Sequence, residues 1–176
     1  MLFPADMVSD ARRLLRQLRA EALHLATAES CTGGLIAGLF TEIPGSSDVI
    51  DRGFVTYSNA AKIEMIGVPP ALIHEHGAVS APVARAMADG ALVHSFADIS
   101  IAVTGVAGPG GGSDEKPVGL VHIAAARLGG QTLHEEHRFG DLERSEIRLK
   151  TITAALALIG LAGCAAIVAG ALRSRA

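Results

Sequence analysis

A chain of 176 residues is long enough to bury one continuous core. Nearly half of it is apolar (49%) but only 3% is aromatic, with no Trp and one Tyr, so Ala, Val, Ile and Leu must fill that core. This is the make-up of α/β proteins with buried parallel strands. A net charge of −3 argues against a nucleic-acid-binding surface, and Cys31 and Cys164 are too few for a disulfide framework, which makes a reducing cytoplasm the expected compartment. Met1 to Asp10 lacks the basic-then-apolar pattern of a signal peptide.

In chain order, Asp6 to Leu23 carries apolar residues at helical spacing (Val8, Ala11, Leu14, Leu15, Leu18, Ala22) with Arg and Gln opposite. His24 to Glu29 is a short apolar run that predicts a buried strand. Thr32 to Glu42 then reads as a helix closed by Pro44-Gly45. Val49 to Tyr57 predicts a strand, with Asn59 as the cap of a helix over Ala60 to Ile66. Pro69 to Gly77 is a connector with room for a short helix, and Ser80 caps a helix from Pro82 to about His94. Asp98 to Thr104 is a further buried strand, followed by a glycine-rich loop from Gly105 to Pro117. Leu120 to Arg127 and Thr132 to Phe139 flank Gly129-Gly130 as a hairpin, and Asp141 opens a final helix. Alternating strands and helices followed by a hairpin predict one α/β domain over residues 1–176, a three-layer α/β/α sandwich around a mixed, mostly parallel sheet.

From Ile152 to Leu172 there are 21 residues without a charge, long enough to span a bilayer. Ala and Gly dominate the run and no Trp or Tyr marks an interface, so it reads as a helix buried against a sheet or a second subunit.

Three polar segments fall where predicted strands end, the place where open α/β sheets bind ligands. In Thr27-Ala28-Glu29-Ser30-Cys31-Thr32-Gly33-Gly34, Ser30 stands before a helix whose N–H groups could hold an oxyanion formed when Ser30 attacks a carbonyl. A plain helix cap from Ser30 or Thr32 would use the same residues. In Tyr57-Ser58-Asn59-Ala60-Ala61-Lys62, the lysine is one of only three, and a lysine in a dry site loses its proton and can serve as base to a serine, with Tyr57 orienting it. Four residues separate Tyr57 from Lys62, one more than in a dehydrogenase pair, which disfavours hydride transfer. Thr104 to Ser113 is rich in glycine but lacks the Gly-Lys-Ser/Thr ending of an ATP-binding loop. The histidines suggest no metal site: His134 and His137 lie three apart on a predicted strand and so point to opposite faces, and His74 and His76 have no third ligand in view.

Taken together, these blocks resemble the CinA C-terminal domain family, the PncC-type nicotinamide-nucleotide amidases. The resemblance is carried in order by Ala28-Glu29-Ser30-Cys31-Thr32-Gly33-Gly34, Pro44-Gly45-Ser46-Ser47, Gly53-Phe54-Val55-Thr56-Tyr57-Ser58-Asn59 with Lys62, Gly77-Ala78-Val79-Ser80, and Val103 to Gly111 followed by Lys116-Pro117-Val118-Gly119. It implies deamidation of nicotinamide mononucleotide to nicotinic acid mononucleotide and ammonia in pyridine nucleotide recycling, by a Ser–Lys mechanism with no metal and no cofactor, in a homodimer. Carried across, Ser30 is the nucleophile, Lys62 its base, and Tyr57 and Thr104 assist. Glu29, Cys31, Thr32, Gly33, Gly34, Asn59, Gly105, Gly108, Gly110 and Gly111 are expected to line the nucleotide pocket. Where many members open the last helix with Gly-Asp-Arg, this chain runs Gly140-Asp141-Leu142-Glu143-Arg144, with Arg148 further on, so no contact is carried over there. Some members also have a large N-terminal domain, whose activity is expected to be absent here. The competing readings are a nucleotide-binding regulatory module without chemistry, which would need no serine beside a base, and a protein anchored in a membrane by its last helix.

Overall fold

The computed structural model describes residues 2–173, with side chains described as far as Gly163. Helix α1 (Ala5–Ala20) leads into strand β1 (Leu25–Glu29), helix α2 (Leu35–Thr41), strand β2 (Ile50–Val55) and helices α3 (Asn59–Ile66), α4 (Pro70–His76) and α5 (Ala81–Val93). Strands β3 (Ile99–Gly105), β4 (Leu120–Arg127) and β5 (Leu133–Arg138) follow, and α6 (Arg144–Arg173) comes last. The sheet order is β2-β1-β3-β4-β5. β1 pairs in parallel with both β2 and β3, whereas β4 runs antiparallel to β3 and to β5. Four strands therefore share one direction, but the ladders divide evenly between parallel and antiparallel. The fold is the expected α/β/α sandwich.

Side-chain size decides how each face is covered. On one face Leu25, Ile99, Ile101, Val103, Val121 and Ile123 meet the buried sides of α1, α2 and α6. On the other, Ala28, Ala102, Ala124 and Ala126 leave a shallow floor for α5, with α3 beside it. Small residues let α5 approach closely enough for Ser100 Oγ to donate to the Ala88 carbonyl at 2.7 Å. α6 accounts for the first half of the long apolar run: Ile152, Ala155, Leu156, Leu158, Ile159 and Ala162 are buried in the first core. Its side chains from Cys164 onward, and Cys164 with them, lie outside the described residues. Among the described residues no helix is long and apolar enough to cross a membrane.

Three boundaries differ from the sequence reading. α3 is capped by Ser58, whose Oγ accepts the Ala61 N–H at 3.0 Å, so Asn59 is its first helical residue and not its cap. α2 starts at Leu35 because Gly33 and Gly34 take left-handed φ of 61° and 95°, which holds the chain in a turn for two residues past Thr32. α6 starts at Arg144, three residues beyond Asp141.

Gly90 records how tightly α3 and α5 meet, since a Cβ there would stand 2.0 Å from the Ile66 carbonyl oxygen. Alanine gains up to about 1 kcal/mol of helix propensity over glycine, but a forced shift in a packed core costs about 1–3 kcal/mol. Gly90→Ala is therefore expected to lower the urea midpoint at unchanged m; a higher midpoint would refute the close packing.

Candidate active site

Because β1, β2 and β3 run parallel, their carboxyl ends open on the same edge of the sheet. Backbone bonds carry the ladders one residue further: Ser30 N–H donates to Val103 O at 3.0 Å, and Thr56 N–H to Glu29 O at 2.8 Å. Ser30, Thr56 and Thr104 are thus brought together by strand pairing alone. Ser58 then starts α3, and one turn later Lys62 reaches back beneath this edge.

Lys62 is 1% exposed, and its Nζ lies 3.1 Å from Ser30 Oγ and 2.8 Å from the Thr56 carbonyl oxygen. Among the described residues it forms no ion pair. Burial disfavours the ammonium and holds the pKa of Lys62 below the ordinary 10.5, opposed only by a smaller effect of the Cys31 thiol. Burial acts on Cys31 in the opposite sense and pushes its thiol up to about 12. The cysteine stays a thiol at neutral pH while the neighbouring lysine is driven toward a free amine.

The turn that presents Ser30 is built around Glu29, which is fully buried. One carboxylate oxygen accepts from Thr27 Oγ1 (3.1 Å) and Ala37 N–H (2.9 Å). The other accepts from Thr32 Oγ1 (2.7 Å), Gly34 N–H (3.0 Å) and Ile36 N–H (3.0 Å). Three of these donors are orphan amides at the start of α2, where a carboxylate is doubly favoured. Glu29, Thr32 and Gly34, expected in the pocket lining, therefore form the support beneath it. The N–H groups expected to stabilise an oxyanion from α2 are already taken by Glu29. Arg148 braces the same turn from α6 by donating to Thr32 O at 2.7 Å, with Gly33 close by.

Ser30 and Lys62 open into a cavity of about 220 Å³, shared with Cys31, Tyr57, Asn59, Thr104 and Gly105 among the expected residues. Ala78, Val79, Ala107 and Arg144 complete the wall. Thr104 Oγ1 donates to the Ala78 carbonyl at 2.9 Å, tying the β3 end to the α4–α5 connection. Arg144 reaches the wall from α6: Nη1 donates to Gly108 O at 2.8 Å and Nη2 to Tyr57 OH at 3.1 Å. Gly108 thus enters through its carbonyl. Gly110 and Gly111 face instead a second concavity of about 550 Å³, with Pro109, Val118, Arg138 and Asp141. Arg144 is the site residue to which the sequence assigned no role, although it was placed at the start of the last helix. The histidines stay apart from this site, with His122 Nδ1 3.0 Å from His134 Nε2 and His137 paired to Glu135 at 2.8 Å. Among the described residues no group of three or more metal-ligating side chains occurs.

An α/β/α sandwich with a buried lysine against a serine at the strand ends is the class that this geometry defines. Residues 8–162 match the family described as CinA C-terminal domain, and the chain belongs to that family. A CinA-like protein of Geobacter sulfurreducens is 53% identical over 143 residues, which is 81% of this chain but 34% of that protein. The chain thus spans about a third of the length of such curated relatives. Among solved structures, the competence/damage inducible protein CihA of Agrobacterium tumefaciens has a TM-score of 0.90 at 54% identity, covering 92% of this chain and 98% of that one. A competence-damaged protein (CinA) superfamily protein of Escherichia coli has a TM-score of 0.83 at 32% identity, covering 90% and 92%.

Removing the Glu29 carboxylate would strand several buried donors, each worth about 1–3 kcal/mol. Glu29→Ala is therefore expected to cost about 3 kcal/mol or more, and Glu29→Gln less, because one amide oxygen still accepts. Denaturant unfolding checks this; a Glu29→Ala loss under about 1 kcal/mol would mean that the turn stands without the carboxylate.

Proposed function

We propose that this chain is a serine–lysine amidohydrolase that deamidates nicotinamide mononucleotide to nicotinic acid mononucleotide and ammonia. The observation that carries the reading is the 3.1 Å approach of a desolvated Lys62 amine to Ser30 Oγ. A neutral Lys62 donates one N–H to Thr56 O and turns its lone pair to the Ser30 hydroxyl. Ser30 Oγ loses its proton to Lys62 and attacks the carboxamide carbon. The tetrahedral intermediate collapses with cleavage of the C–N bond, and the Lys62 ammonium gives its proton to the departing ammonia. Water then adds to the ester, losing a proton to Lys62, and the second intermediate collapses to the acid as Lys62 returns that proton to the departing Ser30 Oγ. The Ser30 N–H is engaged by Val103 O, those of Gly34, Ile36 and Ala37 by Glu29, and those of Gly33 and Leu35 by the Ser30 and Thr32 carbonyls, so we assign oxyanion stabilisation to the Cys31 amide on the pocket wall.

The substrate is supported by the family resemblance and by the size of the cavity. At about 220 Å³ it lies below the 300–1,000 Å³ range of pockets that enclose whole drug-sized ligands. It suits the amide-bearing ring, with the remainder of the nucleotide outside. A purely regulatory nucleotide binder would gain nothing from burying an unpaired lysine against a serine, a costly arrangement. Competence and damage are words in the names of those relatives and are not carried over to this chain.

Ammonia release by purified protein tests the reading. Ser30→Ala should abolish turnover while Cys31→Ala keeps most of it, because the Cys31 thiol is held protonated; the reverse pattern would reassign the nucleophile.

The free enzyme's kcat/KM should fall as pH drops through the lowered pKa of Lys62, because protonation removes the base. Stability follows the same sign: the unfolded chain binds the proton more tightly, so Lys62 costs stability below its folded pKa, and that cost fades as pH rises toward 10.5. Lys62→Arg cannot deprotonate and should lose about 10²–10⁴-fold in rate, close to Lys62→Ala. Turnover by Lys62→Arg within a few-fold of wild type would leave lysine a mere contact.

A further inference from the structure

Among the described residues, His122 of β4 is the histidine that is buried, at 6% exposure, and the proposed chemistry makes no use of it. Its Nδ1 lies 3.0 Å from Nε2 of His134 on β5. The ring planes differ by 21° and the centroids are 5.3 Å apart. That separation is close to the nitrogen–nitrogen distance plus one ring radius at each end, so the imidazoles lie nearly in line, edge to edge. This is the geometry of an N–H···N hydrogen bond, in which one ring carries the shared proton and the other accepts it. A metal ion held by both nitrogens would stand about 2.0–2.1 Å from each, and the gap between two rings in line is too short for that.

The pair lies on the α5 face of the sheet. His134 is opposite Ala124, part of the floor under α5, and His122 is two residues before Ala124 on the same face. Across the other ladder His122 is directly opposite Thr104, so their side chains are neighbours. Thr104 Oγ1 donates to the Ala78 carbonyl. Lys116, whose charge also acts on His122, donates to the His76 carbonyl. Both ties of the α4–α5 connection, which walls the Ser30 cavity through Ala78 and Val79, therefore end beside His122.

The surroundings favour two neutral rings. Burial comes first in holding both imidazoles below the ordinary 6.5. Lys116 and Arg138 further oppose a proton on His122, and Arg85 of α5 and His137 of β5 oppose one on His134. Glu136 favours a proton on either ring and Glu135 one on His134, but Glu136 is bonded to Arg138 and Glu135 to His137. Asp89 of α5 accepts from the Thr132 hydroxyl instead. A first added proton can enter on an outer nitrogen with the hydrogen bond intact. A second must take the facing lone pair, which removes the bond and sets two like charges against each other.

We propose that the His122–His134 hydrogen bond is an acid-sensitive clasp on the wall of the Ser30 cavity: the second proton parts the rings, and the charge left beside Thr104 and Lys116 frees the α4–α5 connection.

Hydrogen exchange between about pH 8 and about pH 5 tests this without turnover, so the clasp and the amidohydrolase reading stand or fall separately. The amides to follow are Gly77, which donates to Ile73 O, and Ala84, which donates to Ser80 O. In wild type their protection should drop on acidification by up to about 10-fold per pH unit for each proton taken up on opening. His134→Gln leaves His122 a partner that cannot be charged, and should remove most of that drop. An equal drop in both proteins, or none in wild type, would overturn the proposal. Stability carries the same sign. The contribution of a neutral pair is present above the ordinary 6.5 and is lost as pH falls from there through the lowered folded values. The lead of wild type over His134→Gln in urea midpoint should therefore shrink on acidification, and a constant lead would count against the clasp. If His134→Gln does not fold, imidazole NMR of wild type decides. The rings should titrate as a coupled pair in two separate steps below 6.5, and two independent titrations near 6.5 would overturn the proposal.

Discussion

Burying the Lys62 amine is the constraint around which the site is arranged. An ammonium at 1% exposure needs a counter-ion or must give up its proton, and here only a hydroxyl and a carbonyl meet it. Glu29, next to Ser30 at the end of β1 and also buried, is surrounded instead by five donors to its two oxygens. The two groups do not touch each other. Had they paired, the lysine would keep its proton and the serine would have no base. The separation of this acid from this base, one spent on architecture and the other left underpaired, is what the proposed serine–lysine chemistry requires of this edge.

That separation depends on packing well away from the pocket. The alanines on the α5 face set the depth at which α5 lies, and with it the level of the α4–α5 connection. Ala78 in that connection can then meet Thr104 at the end of β3 and close one side of the cavity. Larger residues on the floor would lift α5 and open the wall without altering any polar residue. Lys116 gives a second tie, since its Nζ donates to the His76 carbonyl and anchors the far end of the glycine-rich loop to the same connection.

Much of this was legible in the sequence because it is written in short-range patterns. The apolar spacing of Val8, Ala11, Leu14, Leu15 and Leu18 gives α1 its buried stripe, and the apolar runs locate β1 and β3 within a residue or so. Ser30, Tyr57, Lys62 and Thr104 meet in one cavity because parallel strands put their carboxyl ends on one side, a consequence of topology that alternating strands and helices already imply. Two things were not legible. A glutamate beside a serine at a strand end looks like a pocket residue, and only the turn closed by Gly33 and Gly34 shows it directed inward under α2. Arg144 was hidden by distance, since its partners stand 36 and 87 residues away and no local spacing links them.

The adjacency of Ser30 and Cys31 shows how little sequence position alone decides about reactivity. Thiolate is the better nucleophile, and side by side in the chain the cysteine would be the natural choice. Both residues border the cavity, but their side chains have different surroundings, and the difference is decisive. Cys31 enters the first hydrophobic core, where burial holds its thiol protonated, while Ser30 stays half-buried at the cavity with an amine 3.1 Å away. Exchanging the two residues would place a thiol against Lys62 and a hydroxyl in the core. The thiol, beside a base, would then ionise far more readily than Cys31 does in its present place. In the proposed mechanism, reactivity at this edge therefore belongs to the position facing Lys62, and the chemistry of the residue there sets only which kind of nucleophile the position makes.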